Sequence, residues 1–299
     1  MKRASGSRTV AVGGSSGGRV TTLPLEVYVA RVLAGEGEPD APEPTRQALA
    51  IAIRTYAIVN AGRHQGDGFD LCDTTHCQVP RQSNDSSRRA ALATAGRILT
   101  YQGAPAAVFY SASCGGHSES AAVVWPGTDA PYLQPVADDV HDDDEPWTLE
   151  LPMDDVQRVL RGSGFAGSLQ DVRIVARRDS GRAGTLQLRG LRPDVISGEQ
   201  FRSLLGPAVL RSTAFTMSRD GRTLRFSGTG YGHGVGMCVI GAGRRARRGE
   251  SMTAILGHYY PGLAIAALDG VPVADMPRAG APAVPRTPAT FGRVVGAEP

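Results

Sequence analysis

The sequence lacks the features that would place it at once among membrane, nucleic-acid-binding or nucleotide-binding proteins. No stretch of about 18 apolar residues occurs, so no membrane-spanning helix is expected. The formal net charge is only +3, and no strip of interleaved aromatic and basic residues indicates a nucleic-acid surface. The pattern G-x-x-x-x-G-K-[ST] is absent, so a nucleotide ligand is not expected either.

An export signal is also lacking in the sequence as given. The first 18 residues are rich in glycine, serine and basic residues, but no apolar segment follows them as in a secretory signal peptide. Either the protein is cytoplasmic, or the signal lies outside this sequence, and the function inferred below favours the second explanation. Residues 1–18 are predicted to form a flexible lead.

What the chain does contain is enough apolar sequence, 41% of 299 residues, to bury a folded core. Apolar periodicity predicts helices near 22–36, 45–61 and 85–95, followed by strands at 97–101 and 106–111. Two hairpins are predicted within 146–228, one of them turning at Asp220-Gly221, with a short capped helix from Ser197 between them. A last helix is predicted at about 251–260.

The first predicted helix carries an acidic residue on its apolar face. At about 100° per residue, Leu25, Val29 and Val32 form a stripe, and Glu36 falls within it. Glu26 falls outside the stripe, as expected of a surface charge. Apolar surroundings disfavour the charged form of a carboxylate and raise its pKa, which suits a general acid near neutral pH.

Two observations bear on Glu36. On the second predicted helix, Arg54 could pair with or orient a buried carboxylate. The alternative is that Glu36 is a solvated end residue, because it lies between Gly35 and Gly37, where a helix frays. Glu38 is a rival acid, although the helix gives it no defined direction.

Seven segments of the chain resemble the SpoIID/LytB family. They are LPLEVYVARVLAGE, RQALAIAIRTYAI, CDTTHCQV, YSASCGGHSES, VWPGTDAPYL, GYGHGVGM followed by GA, and ILGHYYPG. They occur in the family's order within about 20–135 and 226–265, roughly half the chain. Seven segments in order are far more specific than any one of them.

The resemblance implies a lytic transglycosylase that cleaves peptidoglycan between MurNAc and GlcNAc, favouring strands stripped of stem peptides. The family's catalytic glutamate ends the LPLExYVxxVxAxE helix and corresponds to Glu36. Such an enzyme uses the sugar's own 6-hydroxyl as nucleophile and leaves a 1,6-anhydro-MurNAc end. One carboxylate can therefore suffice, whereas ordinary glycosidases need two. LytB members are described as amidase enhancers, so the alternative is a non-catalytic wall-binding protein.

We accordingly predict an α+β protein with a helical catalytic core, short antiparallel strands and an inserted smaller α+β lobe framing a groove. The predicted divisions are a lead at 1–18, the catalytic core at 19–140 and 229–268, the inserted lobe at 141–228 and a Pro/Ala-rich tail at 269–299. The acidic run HDDDE, 141–145, marks the start of the lobe and could supply a second carboxylate.

Cys72, His76 and Cys77 form a C-x₃-H-C pattern whose thiolates and imidazole suit zinc. Some members of the family carry zinc at this motif, so the resemblance implies one structural zinc ion bound by these residues. The fourth ligand is open between His64, Cys114, His117 and water. The alternatives are a Cys72–Cys77 disulfide, free thiols beside a surface histidine, or a zinc hydrolase using the same three residues.

His233 lies in the segment GTGYGHGVGM, whose glycines allow close approach of the backbone to a ligand. We assign His233 and Arg54 to substrate binding and expect His233 to contact substrate or Glu36; the alternative is a buried histidine that stabilises the loop. Where much of the family has GHGVGMSQ, this chain has Val239 in place of the glutamine. The expected partners are peptidoglycan strands and a wall hydrolase such as an amidase, and the expected location is extracytoplasmic, in the cell envelope or periplasm.

Overall fold

The computed structural model of the protein describes residues 1, 3–14, 19–128, 130–138 and 146–270, and it confirms the α+β class. The helices are α1 (Leu25–Glu36), α2 (Glu43–Val59), α3 (Asp85–Ala93), α4 (Ala121–Val124), α5 (Met153–Gly162), α6 (Gly198–Leu205), α7 (Val239–Arg247) and α8 (Met252–Tyr259). The strands are β1 (Thr9–Gly13), β2 (Thr21–Pro24), β3 (Leu71–Cys72), β4 (Arg97–Tyr101), β5 (Ala104–Pro105), β6 (Tyr110–Ser111), β7 (Trp147–Pro152), β8 (Ala166–Arg177), β9 (Ala183–Arg192), β10 (Val195–Ser197), β11 (Phe215–Asp220), β12 (Thr223–Gly228), β13 (Met237–Cys238) and β14 (Ala264–Ala267).

The described chain forms two compact units. The first comprises Met1–Ser113, Ser118–Val136 and the chain from Val235 onward, and the second comprises Cys114–His117 and Ala137–Gly234. The predicted boundary at residue 141, with its HDDDE run, and most of the predicted tail lie outside the described residues. None of the helices in the described ranges is long and apolar enough to cross a membrane.

Helix α2 forms the centre of the first unit. It begins after Pro42, with Pro44 in its first turn, where a missing backbone N–H breaks no helical hydrogen bond. Its residues Ala48 to Ile53 are all buried, so the helix is apolar around its whole circumference, as a central helix should be. Helices α1 and α3 both pack against it.

The N-terminal predictions need correction. The segment from Thr21 to Pro24 is not the first turn of the helix, because it pairs antiparallel with β1, from Thr9↔Pro24 to Val12↔Thr21. The predicted flexible lead contains β1, since Val10 and Val12 are buried and their strand is paired on both sides. On its other side β1 pairs in parallel with β3, which ends at Cys72.

The second unit contains two three-stranded sheets, β10-β9-β8 and β11-β12-β7, together with α5 and α6. Both predicted hairpins are confirmed, and Gly221 turns the second with a φ of 57°. The predicted capped helix is α6, where the Ser197 hydroxyl accepts the Gln200 N–H at 3.1 Å. Its core includes Leu160, Leu186, Phe201, Leu224 and Phe226, all buried.

Candidate active site

Glu36 is the last residue of α1, and both of its carboxylate oxygens are bound. Oε1 accepts a hydrogen bond from the Val79 N–H at 2.7 Å, and Oε2 accepts one from the Tyr110 hydroxyl. The side chain is half-buried and does not fray into solvent. A Cβ at Gly35 would lie 1.9 Å from the Val79 carbonyl oxygen, so only glycine lets the loop after Cys77 reach the end of the helix.

A buried hydrogen-bond chain leads to this carboxylate. The Tyr28 hydroxyl donates to Gln78 Oε1 at 2.9 Å, and Gln78 Nε2 donates to the Tyr110 oxygen at 2.8 Å. The Tyr110 hydroxyl then donates to Glu36. Gln78 is only 1% exposed, so the chain is shielded from water along its middle. All three donors point the same way, towards Glu36.

Sequence reasoning missed this chain. Gln78 follows the CDTTHC motif, and Tyr110 begins the YSAS motif, so both were inside matched segments. Neither residue belongs to a helical or strand periodicity that would indicate a shared site. Tyr110 lies on the short strand β6, which pairs in parallel with the distant β13 (Tyr110↔Met237). The only available signal was that each matched segment contains a polar residue at this position.

The electrostatics of the site favour a protonated Glu36. Burial raises the pKa of Glu36 above its ordinary value, and the hydrogen bonds from Tyr110 and Val79 oppose part of that rise. Burial also raises the pKa of Tyr110 well above its usual range, so its hydroxyl stays protonated and remains a donor. The carboxyl group can thus hold or release a proton while its neighbours keep their charge state.

Two predictions about the charges around α1 are wrong. Glu26 is not a surface charge: it is 1% exposed and accepts a bidentate pair from Arg54, with Nε–Oε1 at 2.9 Å and Nη2–Oε2 at 2.6 Å. Arg54 therefore pairs with a buried carboxylate, as the sequence suggested, but with Glu26 and not Glu36. Its guanidinium also donates to the carbonyl oxygens of Ala91 and Arg97. Because Arg54 is fully buried and its guanidinium is already hydrogen-bonded to these groups, it does not fit the predicted role in substrate binding.

The structure brings Cys72, His76 and Cys77 together with His64. Their four ligand atoms lie within 4.8 Å of one another. The distances are 3.5 Å for Cys72 Sγ–His76 Nδ1, 3.4 Å for Cys77 Sγ–His64 Nε2 and 3.2 Å for His64 Nε2–His76 Nδ1. Tetrahedral zinc sites place neighbouring ligand atoms roughly 3.3 to 3.8 Å apart, so the donor set fits such an ion.

The surroundings of this cysteine–histidine cluster orient its ligands. His64 Nδ1 lies 3.0 Å from Asp67 Oδ2, which directs Nε2 towards the cluster. Of the residues considered as a fourth ligand, His64 is in the cluster, whereas Cys114 and His117 belong to the second unit. Both Cys72 and Cys77 are free thiols in the structure.

The cluster and the carboxylate share one stretch of chain. Cys77 is followed directly by Gln78 and Val79, the residues that reach Tyr110 and Glu36. The position of the cysteine loop therefore sets the position of the groups that bind the carboxylate.

His233 lies in the second unit, is half-buried and is flanked by Gly232 and Gly234, both with positive φ. A Cβ at Gly234 would lie 2.3 Å from the Arg182 guanidinium, so the loop packs closely against that side chain. Glu36 belongs to the first unit, and the expected contact of His233 with substrate or Glu36 stays a prediction.

Comparison with known proteins bears on this site directly. A family model described as Stage II sporulation protein matches residues 14–101, which contain Glu36 and the cysteine–histidine cluster. An uncharacterized protein of Brachyspira hyodysenteriae is 33% identical over 252 residues, covering 82% of this chain and 67% of that protein. Stage II sporulation protein D of Bacillus amyloliquefaciens is 29% identical over 277 residues, covering 84% of this chain and 76% of that protein. The chain belongs to the SpoIID/LytB family.

Membership of the SpoIID/LytB family makes this a cell-wall-related protein. A further relative, the amidase enhancer of Bacillus subtilis, is 28% identical over 268 residues, covering 72% of this chain but only 37% of that protein. In this SpoIID/LytB member, residues 146–236 match a separate model described as a domain of unknown function, DUF8618. That match falls largely on the second unit.

Proposed function

We propose that this SpoIID/LytB protein is a peptidoglycan lytic transglycosylase in which Glu36 is the general acid and base. The observation that carries the proposal is a half-buried carboxyl group with a raised pKa, bound at both oxygens by neutral donors. An acid of this kind is protonated closer to neutral pH than an exposed glutamate and can donate to a leaving group.

The reaction needs only this one carboxyl group. Protonated Glu36 donates its proton to the glycosidic oxygen between MurNAc and GlcNAc, and the bond from C1 of MurNAc to that oxygen breaks. The 6-hydroxyl of the same MurNAc attacks C1, and its proton passes to the Glu36 carboxylate. The products are a 1,6-anhydro-MurNAc end and a GlcNAc hydroxyl, with no water consumed. Among the residues that the structure describes, no second carboxylate is among the groups that shift the pKa of Glu36.

The donors around Glu36 suit both halves of this cycle. When Glu36 has lost its proton, the Val79 N–H and the Tyr110 hydroxyl stabilise the carboxylate. When it is protonated, burial away from water favours the neutral acid. Opposing effects of this kind lower the cost of moving the proton in either direction.

We also propose that His64, Cys72, His76 and Cys77 bind one structural zinc ion. Four protein ligands fill a tetrahedral site and leave no position for a water molecule. A zinc ion bound there would cross-link the loop and would not activate water. This closed set of ligands favours a structural site over a zinc hydrolase. The expected result is one zinc per chain by metal analysis of protein prepared without chelator; a chain that refolds with full activity and no metal would contradict it.

The substrate and location follow from the same proposal. The substrate is the glycan strand of peptidoglycan, stripped of stem peptides, and the protein acts outside the cytoplasm, in the cell envelope or periplasm.

The second candidate function is that of a non-catalytic wall-binding protein that enhances an amidase. The similarity to the Bacillus subtilis amidase enhancer supports this candidate.

Product analysis separates these functions. Denuded glycan strands are incubated with the full chain, with Glu36→Gln and with Glu38→Gln, a nearby acid that serves as the matched control. We expect 1,6-anhydro-MurNAc ends by mass spectrometry from the wild type and Glu38→Gln, and none from Glu36→Gln. Products with an added water would indicate a hydrolase, and uncleaved strands would indicate the amidase enhancer. Anhydro ends from Glu36→Gln would remove Glu36 from its role.

A further inference from the structure

The second unit contains an open groove of about 990 Å³ between two strand edges. One side is formed by eight consecutive residues of β8, 170–177, and the other by residues 216–219 of β11. Strand β8 is the outer strand of its sheet, and β11 is the outer strand of the other. Within the described ranges, no backbone–backbone hydrogen bond joins β8 to β11.

Two arginine side chains connect these edges at opposite ends. Arg177, at the end of β8, donates from both Nη atoms to the Phe215 carbonyl oxygen at 3.1 Å. Arg219, near the end of β11, donates to the Gln170 carbonyl oxygen at 2.7 Å. The two strands therefore run antiparallel to each other. The hydrogen bonds that join them come from arginine side chains and not from the backbone of the opposite strand. Paired strands lie about 4.8 Å apart, and a bridging arginine needs a wider gap, so the edges are separated.

The floor of the groove is apolar and its rim is basic. Val172 is 3% exposed and packs in the core, and Ile174 and Met217 lie half-buried against it. Arg173 is exposed on the rim and pairs with Asp171 at 2.6 Å. Arg189 also lines the groove and is exposed, and its guanidinium makes no hydrogen bond or ion pair within the described part of the chain.

Residues 146–234 as a whole carry a net positive charge, like the rim of the groove. Residues 146–234 contain 13 arginines, no lysine and 8 acidic residues, which gives a net charge of +5, whereas the whole chain carries +3. The rest of the chain is thus slightly acidic, and the positive charge is concentrated in residues 146–234. An acidic ligand complements this surface.

We infer that this groove binds an extended, acidic segment of a partner polypeptide, which adds as a strand between β8 and β11. A strand edge offers backbone donors and acceptors at the spacing of a peptide chain, and an apolar floor accepts every second side chain. Acidic side chains would meet Arg189 and Arg173 at the rim. A phosphate polymer would use the arginines but neither the edges nor the floor, so a polypeptide fits more of the surface. The inference does not depend on glycan cleavage by Glu36.

The test uses the full chain and a fluorescein-labelled ten-residue peptide of alternating glutamate and valine. Fluorescence anisotropy measures its binding to the wild type, to Arg189→Glu and to Arg158→Glu, a matched charge reversal on α5 outside the groove. Two control peptides carry lysine in place of glutamate, or N-methyl groups on the valine amides. Hydrogen–deuterium exchange of 170–177 and 215–219 is followed with and without the peptide.

We expect the acidic peptide to bind, and Arg189→Glu to weaken it by about tenfold, as for loss of an interfacial charge contact. Arg158→Glu should change the affinity less than about twofold, since it lies outside the interface. N-methylation should abolish binding, and exchange at both edges should slow on binding. Absence of binding would overturn the inference. So would equal binding of the N-methylated peptide, or of polyphosphate without slowed exchange, because either would indicate a simple anion-binding surface.

Discussion

Helix α1 carries a glutamate near each end, and the two have opposite surroundings. Glu26 is 1% exposed and pairs with the fully buried Arg54, so its negative charge is neutralised in place. Glu36 is half-buried and bound by a backbone N–H and a tyrosine hydroxyl, neither of which carries a charge. Burial raises the pKa of Glu36 above its ordinary value.

This difference shows how one helix can hold a structural and a chemically active carboxylate. A buried carboxylate paired with a bidentate cation has a structural role, because removing either partner leaves an isolated buried charge. A carboxylate with neutral donors can take up or release a proton without leaving an unpaired neighbour. The two residues should therefore respond oppositely to substitution, in activity and in stability.

The largest expected effect is on activity. Glu36→Gln should lower the rate of glycan cleavage by about 10² to 10⁴, because the amide cannot donate or accept the proton. Its free energy of unfolding should fall by only about 1 to 3 kcal/mol, because the amide keeps the shape of the side chain but its NH2 group replaces one of the two hydrogen-bond acceptors. Initial rates on denuded strands and urea unfolding measure the two quantities. A severely unstable Glu36→Gln protein would contradict this contrast, because Glu36 would then have a structural role like that of Glu26.

The next effect is on stability. Arg54→Met should lower the free energy of unfolding by about 3 to 5 kcal/mol, because Glu26 would be left as a buried, unpaired charge. Arg46→Met, on the same helix, is the control and should cost less than about 1 kcal/mol. The double variant Glu26→Gln, Arg54→Met should recover much of the loss. If it recovers nothing, the packing of the arginine matters more than the charge pair.

A smaller effect is expected on the pH dependence of the rate. The Tyr110 hydrogen bond lowers the pKa of Glu36, so Tyr110→Phe should raise it. The general acid then stays protonated to higher pH, and the alkaline limb of the rate profile should move upward. The rate at the optimum should fall about tenfold through poorer stabilisation of the carboxylate. Tyr101→Phe serves as the control; an alkaline limb that moves downward would contradict the assigned hydrogen bond.

The smallest effect concerns stability against pH. The folded protein holds the Glu36 proton more tightly than the unfolded chain, so the stability contributed by Glu36 is present at low pH. It is lost as the pH rises from the ordinary value of 4.5 through the raised pKa of the folded state. Glu36→Gln lacks this loss, so its free energy of unfolding should rise relative to that of the wild type across that window. Urea unfolding at several pH values measures the difference, and parallel curves would count against a raised pKa.

The sequence predicts what depends on local spacing. Helical periodicity indicated the direction of Glu36, and the C-x₃-H-C pattern indicated Cys72, His76 and Cys77, which do lie together in the structure. Alternation and turn residues predicted both hairpins of the second unit.

Features that depend on distant parts of the chain were not predicted. Glu26 was assigned to the surface because a helical wheel ignores the segments that cover it, namely α3 and the start of β4, whose carbonyl oxygens bind Arg54. Gln78 and Tyr110 are 32 residues apart in the sequence, and Tyr110 lies on β6, whose partner strand β13 is more distant still. Strand β1 was taken as flexible because its partner β2 lies eight residues beyond it, across a Gly/Ser-rich stretch with no strand pattern.

The one-way order of the donors from Tyr28 to Glu36 determines where the acidic hydrogen can sit. Each carboxyl oxygen has two lone pairs. The Val79 N–H occupies one on Oε1, and the Tyr110 hydroxyl, whose own oxygen already accepts from Gln78, occupies one on Oε2. The hydrogen of the protonated acid must therefore occupy one of the two remaining lone pairs. These lone pairs face away from Tyr110 and Val79, so a substrate could receive the proton only from that side of the carboxyl group.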